Sequence, residues 1–447
     1  MYENVFQPLK VGGITLHNRI VRTAHSTGAG WVDTSDAFMA YHTERAKGGV
    51  ALSILEIAGV HPSAPTHIPV YDDRVLGGYE KLMAPIRPHG MKVFQQLWHG
   101  GSATGVNPLG GAPWSASDIP NPRTGVVPRP MTKGMIDEVV ASFARAARRV
   151  KDGGLDGIEI HAAHGYLVGQ FLSPATNHRE DEYGGTFENR NRFLVEILEA
   201  IRNEVGADFP LGIRLSADEE VPGGMRPDDT VQVAKYSEHL VDFVDVSLGS
   251  YYRFYKLLST MDDPLGYELP KSEAVTRELT VPTMVTGRIM TLDHADHVVG
   301  SGIADMVSMV RALIADPYLV AKARDGREAE IRPCIGSSQG CVGLLMSTGK
   351  MACVVNIAAG QEHKTEFEVP EKSAVHKKVV IVGGGPAGLE AARTAALRGH
   401  EVVLFEMQKS LGGQVAIAAT APHRADIGAI TRWLAEEVKR LGVDVRL

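Results

Sequence analysis

The stretch Gly157-Ile-Glu-Ile-His161-Ala-Ala-His164-Gly-Tyr166 joins a short, mostly apolar run to a cluster of polar rings. Its first five residues predict a buried β-strand. Two imidazoles three residues apart, with a phenol two residues further on, place hydrogen-bond donors and a proton source at the end of that strand. Such residues can also simply satisfy backbone groups at a strand end. Further polar residues at 177–185 and 188–190 favour a functional site at this point of the chain.

The composition is that of an ordinary globular protein. The chain has 447 residues, of which 44% are hydrophobic and 22% are charged. This length suggests two or three domains, although a single α/β barrel can take about 250 residues or more. The net charge of −7 argues against nucleic acid or an anionic membrane as a partner. The expected partner is a small-molecule substrate, and the sequence leaves open the assembly of identical chains.

The N-terminus, the apolar runs and the cysteines indicate which cellular compartment to expect. The N-terminus, Met1-Tyr-Glu-Asn-Val-Phe, has no basic stretch followed by an apolar core, so it does not resemble a secretory signal. Apolar runs are interrupted well before a membrane-spanning length. The three cysteines all lie between residues 334 and 353 and do not form a disulfide framework. We therefore expect a reducing, cytoplasmic location.

Alternating strand and helix patterns predict the fold of residues 1–330. One helix has its apolar residues at three- and four-residue spacing from 136 to 150, and another from 193 to 201. Eight strand–helix units in about 300 residues favour a closed parallel (β/α)8 barrel, or TIM barrel, over an open sheet. The predicted strands are residues 18–24, 50–60, 92–99, 156–161, 211–216, 243–249, 281–287 and 305–310.

Polar or small residues follow nearly every predicted strand. The carboxyl ends of the strands form the active site of such a barrel, so we expect these residues to surround one pocket. They are Ala24, His25, Ala58, Gln96, His99, His161, Tyr166, Arg214, Gly249, Gly287, Arg288, Val310 and Arg311.

Several of these residues suit a flavin mononucleotide (FMN). Its phosphate needs backbone donors and a cation near the last two strands, where Gly287-Arg288 and Val310-Arg311 stand. The Gln96 amide can donate to and accept from the flavin pyrimidine edge. A cation such as Arg214 favours the reduced flavin, which gains negative charge. Each arginine alone is an ordinary surface or salt-bridge residue, but together on one barrel face they favour cofactor binding.

A second, nucleotide-binding domain is predicted at 377–447, after a segment at 331–376 that contains the cysteines and a polar linker. Gly383, Gly385 and Gly388 follow a predicted strand and precede a predicted helix, and Glu406 closes the next strand. Glycines there let backbone N–H groups approach a pyrophosphate, and the acid can accept from a ribose hydroxyl. A glycine-rich turn without a ligand is the alternative.

These motifs together resemble the old yellow enzyme family. They are Gln96-Leu-Trp-His99, His161-x-x-His164-x-Tyr166, the run from Gln170-Phe-Leu-Ser-Pro to Tyr183-Gly-Gly-Thr-Phe-Glu-Asn-Arg190, and Arg311-Ala-Leu-Ile-Ala-Asp-Pro317. With the cysteines and the dinucleotide motif, the chain is similar to the larger branch: 2,4-dienoyl-CoA reductase, 2-enoate reductase and trimethylamine dehydrogenase. The resemblance implies an FMN barrel, a four-iron four-sulfur cluster beside it, and domains for FAD and NAD(P)H.

The resemblance also implies roles for individual residues. His161 and His164 would bind the acceptor oxygen of the substrate, and Tyr166 would protonate the carbon opposite the hydride. Ala24, His25 and Ala58 would contact the flavin, and His25 lies where the family tunes the flavin potential or contacts substrate. Amine dehydrogenases of the family typically have tyrosine in place of His161, and dienoyl-CoA reductases depart at both histidines. The set is therefore most similar to that of enone or enoate reductases.

The cysteine segment departs from the family pattern of four cysteines. Cys334, Cys341 and Cys353 are present, and Ser337 stands at the second ligand position. Soft thiolates suit iron–sulfur clusters, whereas an alkoxide is a harder ligand from a less acidic group. Three outcomes are open: a four-iron cluster with serine or water on one iron, a three-iron cluster, or no cluster, in which case the three cysteines are buried without a metal.

The C-terminal part is similar to two-dinucleotide flavoproteins through Leu411-Gly-Gly-Gln414, which favours FAD. About 60 residues beyond the glycine motif are too few for two dinucleotide domains. The domain at 377–447 is therefore expected to be incomplete, either because the chain is a fragment or because the electron-input half is missing.

Three functions are compatible with the sequence. The leading hypothesis is reduction of an activated C=C bond of an α,β-unsaturated carbonyl or enoyl compound, with electrons from NAD(P)H. The second is an amine dehydrogenase or N-demethylase, in which Tyr251, Tyr252, Phe254 and Tyr255 hold an N-methyl substrate by cation–π attraction. Those aromatics can equally pack on the barrel rim. The third is a non-catalytic remnant that binds flavin or a partner.

Overall fold

The fold is described from a computed structural model that covers residues 2–31, 35–364 and 370–447. A short antiparallel hairpin, β1 (Leu9–Val11) and β2 (Ile14–Leu16), precedes the main sheet. Val11 and Leu16 are fully buried and pack with apolar residues from the first halves of the barrel strands. The hairpin therefore closes the end of the barrel opposite the strand carboxyl ends.

Eight parallel strands form a closed barrel, which confirms the predicted fold class. Two short strands that form a separate pair, β6 (Trp114–Ser115) and β7 (Arg129–Pro130), lie in the excursion after the third barrel strand. The barrel strands are β3 (Ile20–Arg22), β4 (Leu52–Gly59), β5 (Lys92–Trp98), β8 (Gly157–His161), β9 (Leu211–Ser216), β10 (Phe243–Ser247), β11 (Thr283–Val285) and β12 (Met306–Ser308).

Most barrel strands are shorter than predicted, and the seventh shows the reason. The apolar pattern predicts a strand over 281–287, but β11 covers only Thr283–Val285. Pro282 has no N–H for the ladder at one end. At the other end, Gly287 and Arg288 have φ values of 126° and 56°. This left-handed backbone ends the strand.

Helices surround the barrel, and the two amphipathic patterns are confirmed. The 20-residue helix after β5 buries Ile136, Val139 and Phe143, and its Thr132 hydroxyl accepts from the Met135 N–H at its start. The barrel-region helices are α1 (Asp36–Lys47), α2 (Val75–Ile86), α3 (Lys133–Asp152), α4 (Leu167–Leu172), α5 (Phe187–Val205), α6 (Pro227–Ser237), α7 (Phe254–Leu257), α8 (Leu269–Thr276), α9 (Leu292–Gly300), α10 (Val310–Ala315) and α11 (Leu319–Arg324).

The segment after the barrel folds back over it. It contains a π-helical turn at Gln339–Leu344 and the short helix α12 (Leu345–Thr348). Glu362 is buried and forms an ion pair with Arg45 at 2.9 Å, where both side chains are almost inaccessible to solvent. This buried pair ties the cysteine segment to the first barrel helix. Of the predicted linker, residues 365–369 lie outside the described part of the chain.

The C-terminal part forms a small three-stranded parallel sheet of β13 (Lys378–Val382), β14 (Glu401–Phe405) and β15 (Asp444–Arg446). The helices α13 (Pro386–Leu397), α14 (Gly413–Ala418) and α15 (Gly428–Arg440) accompany it. Leu389, Leu404 and Leu434 pack in its core. Val380 and Val382, on one side of β13, are 59% and 85% exposed, so no described residue covers that face of the sheet.

The C-terminal part also contacts the barrel and the segment that follows it. The Arg332 guanidinium lies over the Trp433 ring, 5.0 Å from its centroid. Arg424 pairs with Asp262 at 2.7 Å, and Arg288 pairs with Asp426. Over the described residues, we find no helix with the length and apolar character needed to cross a bilayer.

Candidate functional site

A cavity of about 460 Å³ opens at the carboxyl ends of the barrel strands. Its volume lies in the range of small-molecule and cofactor sites. Polar side chains from several different strand ends converge on it, as a barrel site requires. The predicted site residues that line it are Ala24, His25, Gln96, His161, His164, Tyr166, Arg214, Arg288, Val310 and Arg311.

Two predicted cofactor contacts are not in the lining. Ala58 is fully buried in the hydrophobic core, and its neighbour Ile57 faces the cavity instead. The pairing of β4 with β5 shifts in register between Leu55 and Ala58, and this irregularity turns Ala58 away from the cavity. Gly287 is also absent from the lining, where Thr286 and Arg288 flank it. A side chain at Gly287 would meet Glu268, so this glycine makes room for a wall residue of the cavity.

The two histidines form one hydrogen-bonded chain. The Ala163 N–H donates to His161 Nδ1 at 3.3 Å, which leaves the proton of His161 on Nε2. His161 Nε2 lies 3.3 Å from His164 Nδ1, and His164 Nε2 lies 3.0 Å from the Ser247 hydroxyl. While the two rings are in contact, His161 Nε2–H donates to His164 Nδ1, so the proton of His164 is on Nε2 and points to the Ser247 hydroxyl. A serine hydroxyl can donate or accept, so His164 can carry its proton on Nδ1 instead once the contact between the rings is displaced. A substrate oxygen that displaced the contact between the rings would find a donor on each.

Both imidazoles are neutral at physiological pH. Burial, and then the nearby Arg214 guanidinium, lowers the pKa of His161 well below its usual value. Burial, and then His161 and Arg214, has the same effect on the pKa of His164. Neutral hydrogen-bond donors suit a carbonyl oxygen, because they can stabilise the negative charge that grows on this oxygen and need no counter-ion of their own in the site. The arrangement can therefore polarise a carbonyl group.

Tyr166 stands beside the histidines with its proton retained. Its ring lies 4.8 Å from that of His161, nearly perpendicular, and 5.2 Å from the Trp98 and Tyr251 rings. Only 7% of Tyr166 is exposed. Burial, and then the neighbouring Tyr251, raises the pKa of Tyr166 well above its usual value. A phenol that stays protonated can act as a proton donor.

Below the cavity, the barrel interior holds a buried polar network. Arg214 Nη1 donates to Thr23 Oγ1 at 2.7 Å and pairs with Asp245 at 3.2 Å. Gln96 Nε2 donates to Glu159 Oε1 at 2.6 Å. Burial, and then the Asp245 carboxylate, raises the pKa of Glu159 well above its usual value. One carboxyl of the pair therefore stays protonated, and Arg214 neutralises the other.

Cationic groups line the side of the cavity formed by the last two strands. Arg311 Nη1 donates to the Ser259 carbonyl at 2.6 Å, and Arg288 pairs with Asp426. Arg214 Nε, Arg288 Nε and Glu268 Oε2 are buried and lack hydrogen-bond partners within the described chain. Orphaned buried polar atoms around one cavity indicate a polar ligand that satisfies them.

Sequence reasoning missed several residues of the cavity wall. Tyr267 and Glu268 line it, and burial raises the pKa of Glu268 to about 7. Arg123, Ser338 and Cys341 line it from the long excursion and from the cysteine segment. These residues lie outside the strand ends, so no periodic pattern pointed to them. Among the predicted aromatics, Tyr251 and Phe254 line the cavity, whereas Tyr252 and Tyr255 do not.

The three cysteines lie close to one another but do not form a closed site. All are half-buried, and the Gly336 N–H donates to Cys334 Sγ at 3.4 Å. Burial, and then the Cys334 thiol, raises the pKa of Cys341 to about 11. In the described ranges, no three His, Cys, Asp or Glu side chains converge closely enough to hold a metal ion. Iron–sulfur binding by these cysteines stays a prediction.

The predicted nucleotide turn has the expected form. Gly383 has a φ of 102°, and a side chain at Gly388 would lie 1.9 Å from the Gly383 carbonyl oxygen. The Glu406 carboxylate accepts from the Gln408 N–H at 2.8 Å and from the Gly384 N–H at 2.6 Å, and these backbone donors lower the pKa of Glu406. Gly385 is the N-cap of α13, and the exposed Gln414 lies on α14, whose preceding turn packs on the glycine motif.

Barrel, cavity and nucleotide turn together define a class: an oxidoreductase that binds a flavin at the mouth of a barrel. The sequence profile of the NADH:flavin oxidoreductase / NADH oxidase family matches residues 4–330, and that of an NAD(P)-binding Rossmann-like domain matches residues 381–441. The chain therefore belongs to the NADH:flavin oxidoreductase / NADH oxidase family. This confirms the resemblance to old yellow enzymes, and the family implies FMN and NAD(P) as cofactors.

Three known proteins illustrate the similarity. The chain is 39% identical to an NADH oxidase of Thermoanaerobacter brockii, over all of this chain and 69% of that protein. It is 37% identical to an N,N-dimethylglycine/sarcosine dehydrogenase of Chromohalobacter salexigens, over all of this chain and 66% of that protein. It superposes on a 2-naphthoyl-CoA reductase with a TM-score of 0.93 and 31% identity, over all of this chain and 71% of that structure. The chain thus spans about two thirds of the length of such relatives.

Proposed function

We propose that this flavin oxidoreductase reduces an activated C=C bond of an α,β-unsaturated carbonyl or enoyl compound, with electrons that come from NAD(P)H. The observation that carries the proposal is the contact between the neutral His161–His164 pair and the protonated Tyr166. Carbonyl polarisation and proton delivery are the two functions that such a reduction asks of the protein. Reduction of an activated alkene requires carbonyl polarisation and proton delivery in the same reaction.

The family cofactor FMN fits the cavity wall. Arg288 and Arg311 would hold its phosphate, and Arg214 would lie near its ring; all three line the cavity. When bound, FMN supplies hydride transfer between NAD(P)H and the substrate. The protein residues supply the rest: His161 and His164 bind the carbonyl oxygen, and the Tyr166 hydroxyl gives its proton to the carbon beside the carbonyl.

Replacing Tyr166 by phenylalanine tests the assignment. In Tyr166→Phe, we expect reoxidation of the reduced protein by 2-cyclohexenone to slow by about 10²-fold or more, because the proton donor is lost. Flavin reduction by NADH or dithionite should be unchanged. Stopped-flow absorbance of the flavin follows both half-reactions. Equal effects on both half-reactions would contradict the proposed role.

Tyr236→Phe is the matched control. Tyr236 is 42% exposed and packs on Phe187 outside the cavity. This variant makes the same chemical change, loss of one tyrosine hydroxyl, at a distant position. Both half-reactions should match those of the unaltered protein. A defect in this variant as large as that in Tyr166→Phe would show that loss of any tyrosine hydroxyl perturbs the protein.

A second candidate is an amine dehydrogenase or N-demethylase. The stacked Tyr251 and Phe254 rings, 5.6 Å apart at the cavity wall, and the similarity to an N,N-dimethylglycine/sarcosine dehydrogenase support it. In this reaction the hydride leaves the substrate, so the amine alone should bleach the flavin without NAD(P)H. Anaerobic titration with N,N-dimethylglycine distinguishes the candidates, because an alkene reductase shows no bleaching.

Two finer assignments belong to the same proposal. FAD is proposed at the glycine turn, where Gly383, Gly388 and Glu406 are arranged for a dinucleotide and Gln414 lies nearby. For the cysteine segment we propose an iron–sulfur cluster whose thiolate ligands are Cys334, Cys341 and Cys353. Extraction and chromatography of flavins, with iron and sulfide analysis, tests both.

A further inference from the structure

Arg123 is a cation at the cavity that the cofactor assignment does not use. It comes from the excursion between β5 and α3, and it lines the same cavity as His161, His164 and Tyr166. Its guanidinium lies over the Tyr251 ring, 5.2 Å from the centroid. Tyr251 in turn contacts Tyr166, so ring-to-ring contacts connect Arg123 with the predicted reacting groups.

The local structure holds Arg123 in place. Its backbone N–H donates to Asn121 Oδ1 at 3.0 Å, and its Nη2 donates to the Ala103 carbonyl at 2.5 Å. Asn121 is buried and donates to Ser102 Oγ at 3.1 Å. In the described part of the chain, no carboxylate pairs with Arg123, and its remaining N–H groups are available to a ligand.

This placement disfavours a purely cationic substrate. A purely cationic amine held against Tyr251 would meet a guanidinium already over that ring, and two like charges repel. A carboxylate or phosphate would instead gain charge-assisted hydrogen bonds from Arg123. The neutral imidazole pair suits an uncharged carbonyl, so a negative charge on the substrate belongs at its other end, beside Arg123.

We propose that Arg123 binds an anionic group of the substrate, so that the substrate is an unsaturated carbonyl compound with a remote oxyanion. The proposal rests on the proposed function and specifies its substrate class. The oxyanion can be a carboxylate on a small acid or the phosphates of a coenzyme A thioester. Both chemistries present oxygens to the same guanidinium fork.

Unreactive ligands test the site in the FMN-loaded protein. The first pair is 4-acetylbenzoate and its neutral methyl ester, and the second is butanoyl-CoA and the butanoyl thioester of N-acetylcysteamine. Affinities come from calorimetry and from the shift of the flavin absorbance. In Arg123→Gln, we expect at least one charged ligand to bind about ten-fold or more weakly, because charge-assisted hydrogen bonds are lost. Neutral ligands should be unaffected.

Two further variants sharpen the test. Arg123→Lys keeps the charge and should restore part of the affinity. Arg129→Gln removes an exposed arginine of the same excursion that does not line the cavity, and it should bind like the unaltered protein. If Arg123→Gln loses affinity for 4-acetylbenzoate alone, the anionic group is a carboxylate. If it loses affinity for butanoyl-CoA alone, the anionic group is the phosphates of coenzyme A. Either result supports the proposal.

Two results would overturn it: unchanged affinity for both charged ligands in Arg123→Gln, or an equal loss for the neutral ones. The proposed function is judged separately, by reoxidation of the reduced protein with an enone. If no enone reoxidises the protein but calorimetry shows Arg123-dependent anion binding, the proposed reduction fails and the anion site stands.

Discussion

At the residue scale, burial decides the protonation state of the groups around the cavity. His161 and His164 are neutral because they are buried, and Tyr166 keeps its proton for the same reason. Their sequence spacing placed them together at one strand end, but it carried no information on their charge. Desolvation depends on what the rest of the chain packs around a group.

Glu219 allows a test of this principle away from the reacting groups. Its carboxylate accepts from Ser173 Oγ at 2.6 Å and from the Met225 N–H at 2.7 Å, and burial raises its pKa to about 7. The folded state therefore holds this proton between pH 4.5 and 7, whereas the unfolded state releases it. The contribution of Glu219 to stability is lost as the pH rises through this interval.

In Glu219→Gln, the free energy of unfolding should rise relative to the unaltered protein between pH 4.5 and 7. The relative gain is up to about 3 kcal/mol, because the amide cannot ionise but keeps an acceptor oxygen. Urea unfolding at pH 4.5, 6 and 8 measures it. Glu199→Gln, at an exposed helix position, should show no such trend. A pH-independent difference for Glu219→Gln would contradict the raised pKa.

At the element scale, the cysteine segment differs most from the family pattern. Three thiols approach one another around the π-helical turn, and Ser337 stands where the family pattern has its second cysteine. A thiolate suits iron, whereas the serine hydroxyl is far less acidic and is a harder ligand. The identity of one side chain therefore limits what the whole segment can hold.

We expect the purified protein to contain fewer than four irons per chain, and Ser337→Cys to raise the iron and sulfide content. The reason is the added soft ligand. Ser347→Cys also adds one thiol, on the exposed side of α12, and should leave the iron content unchanged. Four irons in the unaltered protein would contradict the prediction, and so would no gain of iron in Ser337→Cys after anaerobic reconstitution.

At the scale of the whole molecule, charged pairs connect the C-terminal part to the cavity. Arg288 is buried at the cavity wall, and its partner Asp426 comes from the C-terminal part. Arg424 and Asp262 form a second pair, at 2.7 Å, in which both side chains are exposed. The first pair faces the predicted phosphate site and the second does not, so the two can be compared directly.

Asp426→Asn should lower the free energy of unfolding by about 1–3 kcal/mol, because it leaves the buried Arg288 without its anion. Added FMN should restore more stability to this variant than to the unaltered protein, since the phosphate replaces the lost negative charge. Thermal unfolding with and without FMN measures both effects. Asp262→Asn removes the exposed pair and should change little. Equal stabilisation of all three proteins by FMN would contradict the phosphate role of Arg288.

Much of the architecture was predictable because it rests on periodic patterns. Alternating apolar strands and amphipathic helices predicted eight barrel strands, and all eight are present. The exact ends were not predictable, since Pro282 and the left-handed backbone at Gly287 act locally. Ala58 was assigned to the cofactor because it ends a strand; its side chain lies in the core beside a register irregularity that no pattern announced, and its contact with the cofactor stays a prediction.

The chain sequence by itself determined the barrel, the position of the imidazole and phenol groups at one strand end, and the glycine-rich nucleotide turn. Each depends on residues close together in the chain, whose spacing sets which side chains share a face or an end. Only the tertiary structure placed Arg123, Glu268 and Ser338 at the same cavity as His161. These residues are far apart in sequence and occupy irregular segments, so the packed fold alone brings their charges within reach of one ligand.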